Sequence, residues 1–345
     1  PAEEPATPAE TGIAPEDLTV GFIYIGHIGD GGWTDAHNEG RLYLEDQLGV
    51  KTIYQENVPE TQEIETVIAN MIDQGAKVIV ASSFGYMDYV AAIAEDYPDV
   101  TFLHCSGYIT KENMGNYFGR MYEPRYLSGI VAGMQTKSNK IGFAAAMPIP
   151  EVIRGINAFA LGVKSVNPDA KVYVRWTNTW IDPSKAKEAA KALLEEGCDV
   201  MAQHQDSTSP IQAAADYDAT AVGYNIDASE LVPDAFLTAP TWNWGAYYVS
   251  EIEKVLEGNW TASAYWGGLK EGIVGLAPIT DIASEGAVEA VETVKAQILD
   301  GTFHPFQGPV YNQAGELMVP EGEIMSDSDM LSIMWFVDNV EGTIE

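Results

Sequence analysis

The chain repeats itself. Ile141-Gly142-Phe143, followed by a polar break and a helical stretch over 151–165, echoes Val20-Gly21-Phe22 and its helical stretch over 34–47. The stretch 171–176 with a helix over 183–196 echoes 51–55 with a helix over 61–74, and Gln74-Gly75-Ala76-Lys77-Val78-Ile79 matches Glu196-Gly197-Cys198-Asp199-Val200-Met201. The offset stays at about 121 residues across three strand-helix units, which makes duplication a better reading than chance likeness between α/β segments. Within the first copy, strands over 20–25, 51–55, 77–81, 100–105 and 115–119 alternate with helices over 34–47, 61–74 and 86–96. That alternation predicts an α/β unit with a parallel sheet. Two such units predict two similar Rossmann-like lobes with a cleft lined by both sets of strand ends.

The first strand leads into the most informative loop. Val20, Phe22 and Tyr24 read as a buried strand that stops at Gly26, followed by His27, Gly29, Asp30, Gly31, Gly32 and Trp33 and then a helix that Thr34 or Asp35 could cap. Ligands of open α/β sheets bind beyond the carboxyl ends of the strands. The loop has neither the G-x-G-x-x-G of a dinucleotide site nor the Gly-Lys-Ser/Thr of a P-loop. A carboxylate and an indole stand there instead, which favours a flat, hydrogen-bonding, uncharged or cationic ligand. The competing reading makes Trp33 a core residue and Asp30 a turn former.

With 345 residues, 46% of them hydrophobic, the chain is long enough for one large domain or two ordinary ones with real cores. It carries 51 acidic against 18 basic residues, a formal net charge of −33, and such a field repels nucleic acid and anionic membranes. Solubility in a salty or crowded extracellular setting accounts for that acidity better than a specific acidic function. Cys105 and Cys198 form neither a disulfide framework nor a metal motif and read as small buried hydrophobes. The five histidines lack an H-x-x-x-H pair, so no metal and no cofactor is expected. His37, four residues after Trp33, reads as a surface histidine rather than a pocket residue.

No run is long and apolar enough for a transmembrane helix, and no signal sequence stands at the start, as in a mature chain that has lost it. The opening PAEEPATPAETGIAP has almost nothing to bury and reads as a flexible tether, either of a lipid-anchored protein or an ordinary frayed terminus. Further along, the loops expected to face the cleft are Ser82-Ser83-Phe84-Gly85-Tyr86, Asn178-Thr179-Trp180, Gln203-His204-Gln205-Asp206-Ser207, Tyr224-Asn225-Ile226-Asp227 and Thr241-Trp242-Asn243-Trp244. Ring faces with a few placed donors and acceptors are what a planar polar ligand needs.

The runs GRMYEPRYLSGIVAGM (119–134), DPSKAKEAAKALLEEGCDVMAQHQDS (182–207) and TWNWGAYY followed by GGLKEGIVGLAP resemble the basic membrane protein family, the extracytoplasmic solute-binding lipoproteins of ABC importers, with its purine-binding members nearest. The resemblance spans about residues 18–320. It implies a type I periplasmic binding protein fold with a three-crossover hinge. The expected parts are a tether over 1–16, an N-terminal lobe over 17–119 plus about 243–275, and a C-terminal lobe over 120–242 plus about 276–345. By the same resemblance the family's first-loop carboxylate falls on Asp30, and the stacking aromatic falls on Trp33 with Trp180 opposing it. Phe84 and Asp206 fall at pocket positions, and Asn225 stands where many nucleoside binders have an aspartate. The lysine that those relatives place near the ribose is absent from Trp242-Asn243-Trp244.

The expected ligand contacts are therefore Asp30, Trp33, Phe84, Tyr86, Asn178, Trp180, Asp206, Asn225 and Trp242. The expected function is a non-enzymatic, monomeric solute-binding protein that delivers a purine-type ligand, a free base rather than a nucleoside, to an ABC permease and its ATPase. It is expected outside the cytoplasm, on a lipid anchor whose cysteine would precede Pro1. The alternatives are a binder of another planar or polyol solute such as a sugar, and a nucleoside or glycoside hydrolase using Asp30 and Asp206 as an acid/base pair.

Overall fold

The structure, a computed structural model, describes residues 12–344. In chain order the strands are β1 (Thr19–Ile23), β2 (Lys51–Gln55), β3 (Ala76–Ala81), β4 (Thr101–Cys105), β5 (Met114–Gly119), β6 (Lys140–Ala145), β7 (Lys171–Trp176), β8 (Val200–His204), β9 (Thr220–Val222), β10 (Phe236–Thr238), β11 (Pro240–Trp242), β12 (Ala264–Gly267), β13 (Val274–Leu276), β14 (Val310–Tyr311), β15 (Leu317–Val319) and β16 (Val340–Glu341). The helices are α1 (Trp33–Leu48), α2 (Glu63–Asp73), α3 (Met87–Ile93), α4 (Tyr122–Gln135), α5 (Pro150–Val166), α6 (Pro183–Glu195), α7 (Ser209–Asp216), α8 (Trp244–Glu257), α9 (Ala287–Asp300) and α10 (Asp327–Leu331).

One six-stranded sheet runs β12-β5-β4-β3-β1-β2 and a second runs β10-β9-β8-β6-β7-β16. The order from β5 to β2 is the order from β10 to β7, so the duplication is topological as well as sequential. Register agrees. Val20 pairs with Thr52 on one side and Val78 on the other, and Ile141 pairs with Val172 and Val200, the positions that the repeat makes equivalent. The central strands β1 and β6 are parallel to both neighbours, and Phe22 and Phe143 are fully buried, as strands covered on both faces must be.

Local chemistry sets the helices. α2 buries Ile64, Ile68 and Met71, one face at helical spacing. α6 starts with Pro183 behind Asp182, whose side chain accepts the Lys185 amide at 3.0 Å. α3 is shorter than expected: a 3-10 turn over Phe84–Tyr86 replaces its start, and it ends at Ile93, ahead of Tyr97-Pro98, where the residue before proline disfavours helix. Cys105 and Cys198 are free and buried.

By contacts the chain forms two units, Pro1–His27, His37–Phe118 and Trp244–Trp266 in the first, and Ile28–Ala36, Gly119–Asn243 and Gly267–Glu345 in the second. Two segments depart from the expected division. Residues 267–275 go with the second unit because β13 pairs antiparallel with β11, Val274 opposite Trp242. Residues 28–36 also make their contacts in the second unit. The tether expectation falls mainly on residues 1–11, which lie outside the described residues. Its last part is tied down: the Ile13 amide donates to the Leu256 carbonyl at 2.8 Å, and Pro15–Asp17 forms a 3-10 turn. No helix among the described residues is long and apolar enough to cross a membrane.

Candidate functional site

The loop before α1 is built by two aspartates. Asp30 accepts the amides of Gly32, Thr34 and Asp35 at 2.8, 3.0 and 3.2 Å, and Asp35 accepts those of Gly29 and Gly31 at 2.6 and 2.8 Å. Thr34 and Asp35, the expected caps, lie inside the first helical turn, and the cap is instead Asp30, whose short side chain reaches the free amides of that turn. Burial pushes the Asp30 carboxyl up, against the pull of the Thr34, Gly32 and Asp35 amides. Asp30 thus organises the loop that presents Trp33.

That loop rests on the end of β8. A Cβ on Gly32 would stand 2.9 Å from the Asp206 carbonyl carbon, so only glycine admits this approach. Trp33 meets Trp242 edge to face, with centroids 5.6 Å apart at 86°. Trp242 is seated against Gly119, where a Cβ would come within 2.5 Å of the indole. Its Nε1 donates to Asn225 Oδ1 at 3.0 Å, and Asn225 Nδ2 donates to Asp206 Oδ1 at 3.1 Å. Asn225 holds φ 74°, a left-handed conformation that asparagine tolerates, and its amide donates to the Pro240 carbonyl at 3.0 Å. The Asp206 amide donates to the Trp180 carbonyl at 3.1 Å. Four of the expected contacts, Trp33, Trp242, Asn225 and Asp206, thus form one connected aromatic and polar cluster, with Trp180 joined to it through its main chain.

Behind that cluster lies a buried polar layer. His204, the last residue of β8, packs its ring 4.4 Å from that of Tyr224 and 6.1 Å from that of Trp180. Its Nε2 lies 3.7 Å from Glu151 Oε1. Burial, with the Arg125 and Arg154 guanidiniums, holds the imidazole well below its usual pKa, so it is neutral. Arg125 lies over the Tyr224 ring at 3.9 Å and donates to the Gln203 carbonyl at 2.7 Å; burial lowers it and Arg154 to about 10 each. Gln205 Nε2 donates to Thr177 Oγ1 at 2.8 Å, and Gln203 Nε2 to the Ser207 carbonyl at 3.0 Å.

The remaining expectations are placed elsewhere. Phe84 is half-buried in the first unit, in a loop held by Glu60, which accepts Ser83 Oγ at 2.6 Å and the Gly85 amide at 2.7 Å. Tyr86 is a core residue of that unit, its hydroxyl donating to the Val58 carbonyl at 2.5 Å, so packing accounts for it. Asn178 is exposed, at φ 54°, and lines a groove of about 600 Å³ between β7, α6 and Gly342-Thr343. His37 is not a surface residue: it is fully buried, stacked on Trp244 at 4.5 Å, with Nδ1 2.5 Å from the Tyr248 hydroxyl. No group of three or more His, Cys, Asp or Glu among the described residues could hold a metal ion. Sequence reasoning missed Arg125, Glu151 and Glu60; it quoted His204 inside a polar loop without giving it a role.

A family profile described as ABC transporter substrate-binding protein PnrA-like matches residues 18–303. The chain is 42% identical over 330 residues to a purine-binding protein of Brucella abortus (strain 2308), covering 95% of this chain and 94% of that one. It is 41% identical over 331 residues to a Haloferax volcanii protein named as an ABC transporter glucose-binding protein, covering 95% and 82%. Among solved structures, an ABC transporter solute-binding protein of Aeropyrum pernix K1 superposes with TM-score 0.73 at 20% identity over 83% of this chain and 92% of that one. One from Conexibacter woesei superposes with TM-score 0.69 at 21% identity over 83% and 98%. The fold is therefore the two-lobed type I periplasmic binding protein fold.

Proposed function

This chain belongs to the PnrA-like family of ABC transporter substrate-binding proteins, and we propose that the ligand it captures is purine-type, a free base in preference to a nucleoside. Membership makes it the extracytoplasmic component that hands a small molecule to a permease and its ATPase. The carrying observation is the cluster in which Trp33 and Trp242 supply ring surface beside Asn225 and Asp206, the pairing of stacking faces and hydrogen-bonding groups that a flat nitrogen heterocycle requires. The relative named as purine-binding supports the class. Preference for the base rests on Trp242, whose indole is bulky where the resembling nucleoside binders place a lysine, and on Asn225, a neutral amide where many of them have an aspartate. Ribose hydroxyls left without partners in such a site cost about 1–3 kcal/mol each. A lipid anchor and a monomeric state belong to the same proposal.

The ligand is bound without turnover in this reading. A hydrolase would need Asp30 as half of an acid/base pair, and that carboxylate is engaged by three main-chain amides. A sugar is the second reading, favoured by the relative named as glucose-binding, since indole faces also pack against sugar rings. Calorimetric titration with adenine, guanine, adenosine, guanosine and glucose, followed by mass spectrometry of the recovered ligands, tests all of this. Tightest binding by a base, recovered intact, is expected. A nucleoside binding tenfold tighter than its base, glucose binding above every purine, or release of ribose would overturn the corresponding part.

A further inference from the structure

Three acceptor atoms at the end of β8 are buried and have no hydrogen-bond partner: Gln203 Oε1, His204 Nδ1 and Gln205 Oε1. Their assignment as acceptors follows from their neighbours. Thr177 Oγ1 directs its own hydrogen to the Thr179 carbonyl at 3.1 Å or the Ala145 carbonyl at 3.3 Å, so it accepts from Gln205 and leaves the Gln205 oxygen bare. The Ser207 carbonyl can only accept, which orients Gln203 in the same sense. For His204, the Glu151 carboxylate 3.7 Å from Nε2 favours the proton on that nitrogen, and the neutral ring then carries a lone pair on Nδ1.

His204 differs from the two glutamines in its surroundings. Side chains alternate along a strand, so Gln203 and His204 point to opposite sides of β8, while Gln205, just past its end, is bonded to Thr177. Its ring packs near those of both Trp180 and Tyr224. Trp180 and Tyr224 adjoin the Asp206–Asn225 bond, through the Trp180 carbonyl that accepts from Asp206 and through the peptide joining Tyr224 to Asn225. A buried acceptor without a donor costs roughly 1–3 kcal/mol. A ligand N–H relieves that cost; an apolar ligand atom does not.

We propose that His204 is a ligand-recognition residue whose Nδ1 accepts a hydrogen bond from an N–H of the purine-type ligand. This rests on the proposed function. It makes the binding end of the second unit acceptor-rich, with His204 reading donors on the ligand edge while Trp33 and Trp242 supply ring surface. His204 acts as a contact in its own right and not as a support for Asp206, which is held in the network Trp242–Asn225–Asp206–Trp180 by Asn225 and the Trp180 carbonyl.

The test is a cycle between the side chain and the ligand. Wild type, His204→Leu and His204→Asn are titrated with adenine, 9-methyladenine and N6,N6-dimethyladenine, and melting temperatures are recorded for each. Leucine removes the acceptor at similar volume, and the asparagine oxygen can stand where Nδ1 stood. We expect His204→Leu to weaken adenine binding tenfold or more, His204→Asn to recover most of that loss, and the effect of His204→Leu to shrink to less than threefold on the one analogue whose methyl groups block the donor concerned. If His204→Leu weakens all three ligands equally, or none, or if asparagine fails to recover binding in a protein that melts as wild type does, the assignment is wrong while purine binding stands. If wild type binds no purine, the proposed function falls and this assignment with it.

Discussion

Replacing Gly32 by alanine perturbs the candidate site at one atom. The added Cβ would stand 2.9 Å from the Asp206 carbonyl carbon, 3.0 Å from its Cα and 3.2 Å from its oxygen, all main-chain atoms. Ordinary contact needs roughly half an ångström more, and the Asp206 main chain is held by its bond to the Trp180 carbonyl and by Asn225 on its side chain. Either the end of β8 shifts or the loop carrying Trp33 lifts away, giving up an aromatic pair of about 0.5–1.5 kcal/mol with Trp242. Overpacking of this kind costs about 1–3 kcal/mol. If ligand binding needs the loop in place, affinity falls by roughly 5- to 150-fold, read by calorimetric titration with adenine. Gly29→Ala is the control: φ there is +94° and nothing lies within 4 Å of the added Cβ, so it strains the main chain without touching Asp206. Gly32→Ala binding within twofold of wild type, or Gly29→Ala losing as much, would refute the claim that this contact positions Trp33.

Trp33→Ala and Trp180→Ala should each weaken base binding about tenfold or more, the share of one stacking contact of about 1–3 kcal/mol, while both variants still unfold cooperatively in urea, Trp33→Ala at a lower midpoint because its indole packs on Trp242. Stability should fall on acidification: burial, opposed by the Ser83 carbonyl and Asp88, lowers His104 to about 4, so its contribution is complete above the unfolded value near 6.5 and is lost as pH drops toward 4. About 3 kcal/mol is at stake in that window, and urea unfolding at several pH values should show a flatter profile for His104→Gln, which keeps a donor for Ser83 but cannot titrate. With a net charge of −33, self-repulsion should make the melting temperature rise between roughly 0.05 and 1 M potassium chloride; a fall over that range would show that the acidic groups are not repelling in the folded state.

The repeated strand-helix pattern was legible because it is local: hydrophobic runs, glycine breaks and a constant offset place Val20, Thr52 and Val78 beside one another and Ile141, Val172 and Val200 likewise. The site was legible in part. That Asp30, Trp33, Asp206 and Asn225 stand beyond strand ends follows from the alternation alone. Even the role of Asp30 lies within five residues of chain, since the amides it accepts belong to Gly32, Thr34 and Asp35. Tertiary structure decided the rest. His37 and Tyr86 carry polar atoms that could face solvent or core, and only their partners Tyr248 and Val58, far off in sequence, resolve it. Neither the pairing of β13 with β11 nor the approach of Gly32 to Asp206 has a signature in residue order, because both are contacts between segments whose own patterns would be satisfied by other neighbours. Periodicity and turn chemistry along the chain determine which residues reach the strand ends; which of them touch, and which acceptors are left bare, depends on packing across hundreds of residues.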